Sequence, residues 1–282
     1  HCASVTIIVV AHNESKSIGT CLQGILKQTY PHHLMEIIVI NDHSTDDTIN
    51  EVNKIESDRI TLYHLEDYPE YIKAPAYKKS AITLAVDKAT SEYIVITDAD
   101  CVHPSQWLNA VVFGLEKNQS AFQTSPVIID GGNTLLAKMQ ETEQLVLMLI
   151  TAANKSIDAS VSTKAKTNWP SLIKQRLRWA GKNKGLESPT ISRIWAFVGL
   201  YHFMLFLSLA ASLFNLISPI PFIILFVVKW FADFLVITTA ASFFQKTSVL
   251  KYFVPLQFLY SYYILRLSLA MVMGKKGDWV RN

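Results

Sequence analysis

The sequence predicts an α/β domain with a mostly parallel sheet, followed by a group of membrane-spanning helices. Apolar runs alternate with helical patterns over residues 1–190, the order expected of right-handed βαβ units. Polar residues gather where each predicted strand ends, which is where open parallel sheets bind ligands. From residue 194 to residue 273 the chain is almost continuously apolar, as membrane helices are.

The composition narrows the class of protein. Half of the 282 residues are hydrophobic and 17% are charged, which is apolar for a soluble protein, and the length allows one large domain or two smaller ones. A net charge of +3, without a basic run interleaved with aromatic residues, argues against a nucleic-acid partner. The scattered cysteines Cys2, Cys21 and Cys101 indicate a reducing compartment and favour neither a zinc site nor a disulfide framework.

The first half of the chain predicts four βα units. Val5–Val10 has the β-branched composition of a fully buried parallel strand and precedes a helical pattern from Ile18 to Leu26. The second strand, Glu36–Ile40, ends in helix-capping residues at 41–47. Further along we expect a helix through Ile49, Val52 and Ile55, a strand at Ile60–His64, an irregular loop at 66–77, a helix through Lys79, Ile82 and Val86, and a buried, central strand at Tyr93–Ile96.

Two carboxylates, Asp98 and Asp100, follow the central strand one residue apart, and Pro104 then indicates the first turn of a helix. Because close carboxylates repel each other, a cation beside them would stabilise the pair, and Mg²⁺ or Mn²⁺ prefers such oxygen ligands and bridges to phosphates. The alternative is a solvated loop with an aspartate cap. Together with Asn13/Glu14 and Asp42 at other strand ends, the pair favours a nucleotide site on one rim of the sheet.

The middle of the chain predicts a further strand at Phe122–Ile129 and a long helix at 133–157, whose apolar end is too short to span a bilayer. Between these elements and the carboxylate pair, a helix is expected to bury Trp107, Leu108, Val111, Val112 and Leu115. A polar connector, Lys155–Ser160, precedes the strongly basic stretch Lys164–Gly185, which contains Gln175-Arg176-Leu177-Arg178-Trp179.

The apolar end of the chain predicts about three membrane spans, at Ile194–Ile217, Pro219–Ala241 and Val249–Met273. Lys229 and Asp233, spaced i, i+4, form an internal pair or mark a functional polar spot. A hydrophobic soluble helical domain is the alternative. Basic flanks at 176–184 and 246–251 suit the cytoplasmic side, whereas the basic tail conflicts with three full crossings, so a re-entrant or interfacial segment stays open.

The order of these motifs resembles the membrane-bound family 2 glycosyltransferases of the GT-A fold, which include cellulose, chitin and hyaluronan synthases and ceramide glucosyltransferase. The resemblance covers nearly the whole chain: an Ala-x-Asn-Glu start, Asp-x-Asp, Gln-x-x-Arg-Trp and a membrane tail. It implies a GT-A domain at 1–157, a basic interfacial connector at 158–192, a transmembrane domain at 193–274 and a basic tail at 275–282.

The resemblance also implies roles for individual residues. The nucleotide sugar would be bound by Ala11, Asn13, Glu14, Asp42, Lys78 and Asp98, and the divalent metal by Asp100 with Asp98. Tyr77 stands where the family usually has the Gly of a Gly-Lys motif, a departure at the Lys78 position. At the acceptor end, Gln175, Arg178 and Trp179 would serve catalysis, with Arg on the leaving diphosphate and Trp on a sugar ring. The alternative for this motif is an interfacial anchor.

One part of the family pattern is missing. An inverting transferase needs a carboxylate base, and the family supplies it from an acidic pair before Gln-x-x-Arg-Trp. Here Asp158 is the one acidic residue between Ile157 and Lys174, and the stretch is several tens of residues shorter than the family's. We expect the natural protein to contain a segment absent from this sequence; a deleted, inactive variant, or Asp158 as a substitute base, are the alternatives.

The function expected from the resemblance is inverting transfer from a nucleotide sugar, with UDP as the nucleotide, to a lipid or polysaccharide acceptor of the cell envelope. The enzyme would depend on Mg²⁺ or Mn²⁺ and be a multi-pass protein of the plasma (inner) membrane with a cytoplasmic catalytic domain. Two alternatives remain: a pseudoenzyme that binds sugar nucleotides without turnover, and a phosphatase of the haloacid-dehalogenase type, whose strand-Asp-x-Asp signature Asp98-Ala-Asp100 also matches.

Overall fold

The computed structural model describes residues 2–73, 76–150, 159–182 and 189–273. The chain divides into two compact units. The first comprises residues 1–128 and 152–164, and the second comprises residues 129–151 and 165–282. A parallel α/β sheet forms the first unit, and helices dominate the second.

A four-stranded parallel sheet organises the first unit, with strand order β3-β2-β1-β4. The predicted parallel α/β architecture is therefore confirmed. Its elements are β1 (Val5–Ala11), α1 (Ile18–Leu26), β2 (Met35–Asn41), α2 (Thr48–Asn53), β3 (Ile60–His64), α3 (Tyr77–Lys88), β4 (Tyr93–Asp98) and α4 (Trp107–Lys117).

The apolar core explains why β1 carries β-branched residues on both faces. Ile7 and Val9 point into a cluster that includes α1 and α4, whereas Ile8 points to the opposite face and packs with Leu84 and Ala85 of α3. Successive residues of a strand face opposite sides, so a strand covered on both sides must be apolar throughout. Each such buried side chain stabilises the fold by about 1.5–3 kcal/mol.

The predictions for β4 were partly wrong. We expected a buried, central strand, but β4 lies at the end of the strand order, and Ile96 on one of its faces is 48% exposed. A short apolar run has the same appearance whether one or both faces are covered, so periodicity alone could not distinguish the two cases. The following helix begins at Trp107, three residues after Pro104, and buries the predicted residues Trp107, Leu108, Val111 and Val112.

Two further strands form a separate sheet, β5 (Val127–Asp130) and β6 (Val161–Lys164). The strand expected at Phe122–Ile129 begins five residues later than predicted, and Phe122 is 78% exposed. β6 was not predicted. An isolated antiparallel bridge joins its residue Ser162 to Val102, which follows the Asp98/Asp100 pair in the chain.

In the described residues the second unit contains five α-helices and a 3-10 helix at Thr247–Tyr252. The α-helices are α5 (Leu135–Ile150), α6 (Trp169–Lys182), α7 (Pro189–Leu213), α8 (Ile220–Phe243) and α9 (Phe253–Val272). An apolar cluster joins three of them, with Met139 of α5, Leu172 of α6 and Tyr263 of α9 among its buried members. The Gln-x-x-Arg-Trp motif therefore lies on a helix, α6, with one apolar side.

One helix within the described part of the chain, α8, is long and apolar enough to cross a membrane, and 6% of its most apolar window is buried. α7 contributes a shorter apolar stretch, Phe197–Leu213. The multi-pass arrangement stays a prediction. The predicted pair is present: Lys229 Nζ donates a 2.6 Å hydrogen bond to Asp233 Oδ2 and a 2.8 Å bond to Gln257 Oε1 of α9.

Candidate active site

The carboxyl ends of the parallel strands form one rim of the first unit. Ala11 is level with Asn41 of β2, Val10 with Asp98 of β4, and Asn41 with His64 of β3. The loops after β1, β2 and β4 therefore leave the sheet side by side, and they carry the residues that the sequence singled out. This edge is the position at which open α/β sheets bind ligands.

The loops after β1 and β2 are hydrogen-bonded to each other. Asn13 Oδ1 accepts a 2.8 Å bond from the backbone N–H of Thr45, and the N–H of Asn13 donates to Ser44 Oγ at 3.1 Å. One residue further on, the N–H of Glu14 donates to Thr48 Oγ1 at 2.8 Å. Asn13, which was predicted to line the nucleotide pocket, thus uses its side-chain amide oxygen to join the two loops.

The same backbone geometry recurs in both loops. Asn13 stands two residues after β1 and has φ 56°, and His43 stands two residues after β2 and has φ 55°. Left-handed backbone costs about 1–3 kcal/mol for residues other than glycine, although Asn and His adopt it more readily than most. Such strain at matching positions of one rim is typical of a ligand site.

Asp42 directly precedes His43 and is 6% exposed. Its backbone N–H donates to Ala11 O at 2.8 Å, its carbonyl oxygen bonds His12 Nδ1 at 2.5 Å, and its Oδ1 lies 3.0 Å from His43 Nδ1. The His43 ring in turn meets Tyr77 edge-to-face at 6.0 Å. The predicted nucleotide contact is thus held in place on three sides, with an aromatic side chain nearby where the family usually has glycine.

Asp46 was not predicted as a site residue, although it stands among the capping residues after β2. Its Oδ2 accepts from the N–H of Ser15 at 3.2 Å, and its Oδ1 accepts from the N–H of Thr48 at 3.1 Å and from the Thr48 hydroxyl. Desolvation acts to raise its pKa, but the hydrogen bonds from Thr48 and Ser15 outweigh it and lower the pKa of Asp46 to about 2. Asp46 is therefore a charged tie between the two loops.

The carboxylate pair lies where β4 ends. Asp98 is exposed and its Oδ1 is paired with Lys78 Nζ of α3, whereas Asp100 is half-buried in the turn that follows. The predicted nucleotide ligands Lys78 and Asp98 are therefore adjacent. An exposed ion pair of this kind contributes little to folding, so both groups are available to exchange partners with a ligand.

A buried thiol, that of Cys21, contacts the backbone at the end of β4. Cys21 of α1 donates a hydrogen bond to the carbonyl oxygen of Asp98, with Sγ 3.6 Å from the oxygen. Burial first, and then the neighbouring Cys101 thiol and the carboxylates of Asp100, Asp98 and Glu14, raise the pKa of Cys21. The thiol consequently stays neutral and does not act as a nucleophile.

The donors at this rim fit a magnesium or manganese ion. Within the described residues, no group of three or more His, Cys, Asp or Glu side chains could hold a metal ion. The candidate ligands at the rim are therefore the two carboxylates of Asp98 and Asp100. This number suits Mg²⁺, which is commonly bound by one or two carboxylates together with substrate phosphates and water. A closed zinc site, which needs four protein ligands, does not fit this donor set.

The residues of the predicted acceptor end lie on α6 in the second unit. Gln175, Arg178 and Trp179 are spaced i, i+3 and i+4 and share one side of the helix, where Gln175 and Arg178 are half-buried and Trp179 is 37% exposed. Asp158, the candidate substitute base, lies outside the described residues.

The sequence did not single out Arg176, which lies inside the same motif. Its side chain is 5% exposed, it is paired with Glu143 of α5, and its guanidinium lies over the Trp179 ring, 4.2 Å from the centroid. The sequence could not predict that Arg176 is buried, because helical spacing alone does not tell whether Arg176 or Arg178 faces inward.

The first unit has the GT-A type of fold, built on a parallel α/β sheet. The sequence model of the family "Glycosyl transferase family 2" matches residues 6–173. The chain belongs to this family. The match argues against the phosphatase alternative, because the strand-Asp-x-Asp region lies within the part of the chain that matches this family.

Several curated proteins are similar to parts of the chain. An uncharacterized glycosyltransferase of Haemophilus influenzae is 31% identical over 126 residues, 42% of this chain and 34% of that protein. The probable glycosyltransferase YdaM of Bacillus subtilis is 25% identical over 68% of this chain and 46% of its own length. WfaP of Escherichia coli, named as a UDP-Glc:α-D-GlcNAc-diphosphoundecaprenol β-1,3-glucosyltransferase, is 35% identical over 34% of this chain and 35% of its own length. The chain thus spans between a third and a half of these relatives.

A solved structure shares the fold over nearly the whole chain. The mannosyltransferase PcManGT of Pyrobaculum calidifontis, described in complex with GDP-Man and Mn²⁺, superposes with a TM-score of 0.50 at 19% identity. The similarity covers 98% of this chain and 89% of that protein. At 19% identity this similarity shows a shared fold and nothing about the substrate.

Proposed function

We propose that the chain is a membrane-bound, metal-dependent family 2 glycosyltransferase that transfers a sugar with inversion from a UDP-linked donor to a lipid or glycan acceptor of the cell envelope. The observation that carries this proposal is the rim at the ends of β1, β2 and β4, where Asp42, Lys78, Asp98 and Asp100 accompany two hydrogen-bonded loops. The name of WfaP, with a UDP-linked donor and a diphosphate-lipid acceptor, supports the donor and acceptor classes.

The proposed donor site assigns each residue a task. Asp42, fixed by its bonds to Ala11, His12 and His43, binds the base or ribose of the nucleotide, and Asn13 and Glu14 keep the neighbouring loop in register. Lys78 exchanges Asp98 for the diphosphate of the donor. Asp98 is then free to bind the sugar nucleotide and, with Asp100, to hold Mg²⁺ or Mn²⁺, which when bound neutralises the charge that grows on the leaving diphosphate.

The proposed acceptor end lies on α6. The acceptor oxygen attacks the anomeric carbon of the donor, the bond from this carbon to the diphosphate oxygen breaks, and the hydroxyl proton passes to a base. Arg178 is assigned to binding phosphate, because a planar guanidinium can bind two phosphate oxygens, and Trp179 is assigned to stacking on a sugar ring. We assign the membrane attachment to α8 and propose α7 and α9 as further membrane segments. In this arrangement the catalytic domain lies on the cytoplasmic side of the membrane.

The test is release of UDP from UDP-glucose and UDP-N-acetylglucosamine by the purified chain in detergent, with and without Mn²⁺. We expect Mn²⁺-dependent release that EDTA abolishes and that the substitution Asp100→Asn lowers at least a hundredfold. Asp47→Asn, which changes an exposed carboxylate of the loop after β2, serves as the control and is expected to leave the rate unchanged. Metal-independent release, or equal rates in the two variants, would contradict the proposal.

A pseudoenzyme is the second candidate, and one observation favours it. Residues 159–182 contain no Asp or Glu, so this part of the sequence supplies no carboxylate base before or within the Gln-x-x-Arg-Trp motif. UDP binding with micromolar affinity but no release from either donor, in the same assay, would establish the pseudoenzyme.

A further inference from the structure

Glu143 of α5 is held from two other helices of the second unit. Its Oε2 accepts a 2.6 Å hydrogen bond from Arg176 Nη2 of α6, and its Oε1 accepts from the Tyr263 hydroxyl of α9 at 3.4 Å. The side chain of Glu143 is 19% exposed. Both carboxylate oxygens are therefore engaged, one strongly and one weakly, in a largely buried place.

Arg176 needs this carboxylate. Its guanidinium is buried, and within the described residues its Nε and Nη1 have no hydrogen-bond partner. Removing one member of a buried ion pair leaves an uncompensated charge, which is far more costly than loss of a surface pair. Glu143 is the counter-charge that keeps Arg176 at this position on α6.

Arg176 in turn supports Trp179. Its guanidinium carbon lies 4.2 Å from the centroid of the Trp179 ring, within the range of a cation–π contact. Because the two residues are one helical turn apart, the orientation of the ring depends on where the guanidinium is held. Trp179 keeps 37% of its surface exposed, so part of the indole is accessible to a ligand.

We propose that Glu143 is a positioning residue that sets the orientation of Trp179 through Arg176, and thereby prepares the indole face for the ring of a carbohydrate acceptor. This proposal rests on the proposed function for the nature of the ligand, but the Glu143–Arg176–Trp179 linkage itself does not. Glu143 is not assigned as the catalytic base, because its oxygens are occupied by Arg176 and Tyr263 and it is largely shielded from solvent.

The linkage is tested on the full chain labelled with 5-fluorotryptophan. The six tryptophans give separate ¹⁹F resonances, and Trp179→Phe identifies the signal of Trp179. Glu143→Leu removes the counter-charge and is expected to shift or broaden the Trp179 resonance, with a smaller effect for Glu143→Gln, whose amide oxygen can still accept from Arg176. The matched control is Glu141→Gln on the same helix, since Glu141 forms a buried pair with Lys138 at 2.7 Å.

A general loss of packing would move several resonances in the Glu143 and Glu141 variants alike, and would overturn the proposal. An unchanged Trp179 resonance in Glu143→Leu would overturn it as well. Should Glu143→Leu not fold, Glu143→Gln decides the matter by the same two criteria.

The functional part is tested separately with the donor that the release assay identifies. Glu143→Gln is expected to lower the turnover rate about fivefold while leaving the affinity for UDP unchanged, because the donor site lies on other residues. In a Trp179→Ala background the same substitution is expected to have no further effect. Independent, additive effects, or a weakened affinity for UDP, would refute the positioning role. If no donor is turned over, the proposed function fails while the fluorine signals still report on the linkage.

Discussion

The ammonium group of Lys78 is paired with the carboxylate of Asp98, 20 residues further along the chain. Lys78 stands in the first turn of α3 and Asp98 ends β4, so the pair joins two elements of the first unit at the rim of the sheet. Both side chains are substantially exposed. A diphosphate could replace Asp98 as the partner of Lys78, and its metal ion could replace Lys78 as the partner of Asp98. Substitutions of this pair therefore test the donor site.

Lys78→Ala is expected to weaken UDP binding in the presence of Mn²⁺ about tenfold, because the diphosphate loses a cation and Asp98 loses its neutralising partner. The free energy of unfolding should change by less than about 1 kcal/mol, as expected for an exposed pair. Titration calorimetry measures the first quantity and denaturant unfolding the second. The control is Lys54→Ala, which removes an exposed pair with Glu51 on α2. Equal UDP affinities in the two variants would argue against a role for Lys78 at the donor site.

Asp46→Asn is expected to flatten the acid limb of the stability curve. The folded-state pKa of Asp46 is lowered to about 2, so its contribution is fully present above the unfolded-state pKa near 4 and is lost as the pH falls from about 4 to about 2. Because Asp46 is exposed, screening reduces the contribution to about 1 kcal/mol. Denaturant unfolding at pH 6, 4 and 3 measures it, and Asp47→Asn is the matched control. If the wild-type protein loses no more stability on acidification than Asp46→Asn does, the proposed stabilising role of Asp46 between the two loops would be wrong.

His103→Gln is expected to reduce the loss of stability between pH 6.5 and pH 4. Burial lowers the pKa of His103 to about 4; its Nε2 lies 2.8 Å from Thr97 Oγ1 and its ring lies against Trp107. The folded state excludes the proton that the unfolded chain binds, so stability is full above pH 6.5 and falls by about 3 kcal/mol towards pH 4. Unfolding curves across this range test the point, with the exposed His33→Gln as control. Parallel curves for all three proteins would show that His103 is not the responsible group.

Asp233→Leu is expected to destabilise the second unit, because it leaves the buried ammonium of Lys229 with the amide oxygen of Gln257 but without its carboxylate. A loss of about 2 kcal/mol is expected. The double substitution Lys229→Met/Asp233→Leu removes both charges and should regain most of it. Thermal unfolding in detergent compares the three proteins. A double variant no more stable than Asp233→Leu would indicate that the polar pair has a role other than charge compensation.

Much of the first unit was predictable because its signals are local. The β-branched runs of β1 and β2, the capping residues after β2 and the helical spacing of α1 and α4 each identify an element without reference to the rest of the chain. The parallel arrangement followed from their alternation, and with it the rim that carries Asp42 and Asp98. The strand predicted at Phe122–Ile129 was wrong in its start, because apolar composition does not show which residues pair with a neighbouring strand.

The sequence by itself determined the α/β order, the family motifs and the rim on which the polar residues meet. Local composition, capping residues and periodicity are enough to show where strands end and helices begin. The tertiary structure alone decided that β4 lies at the end of the strand order, that Asn13 and Asp46 tie two loops together, and that Arg176, beside the expected Arg178, is buried on Glu143. These outcomes depend on which neighbour covers a face and which partner meets a charge. Such contacts join residues about 30 positions apart, and no local pattern encodes them.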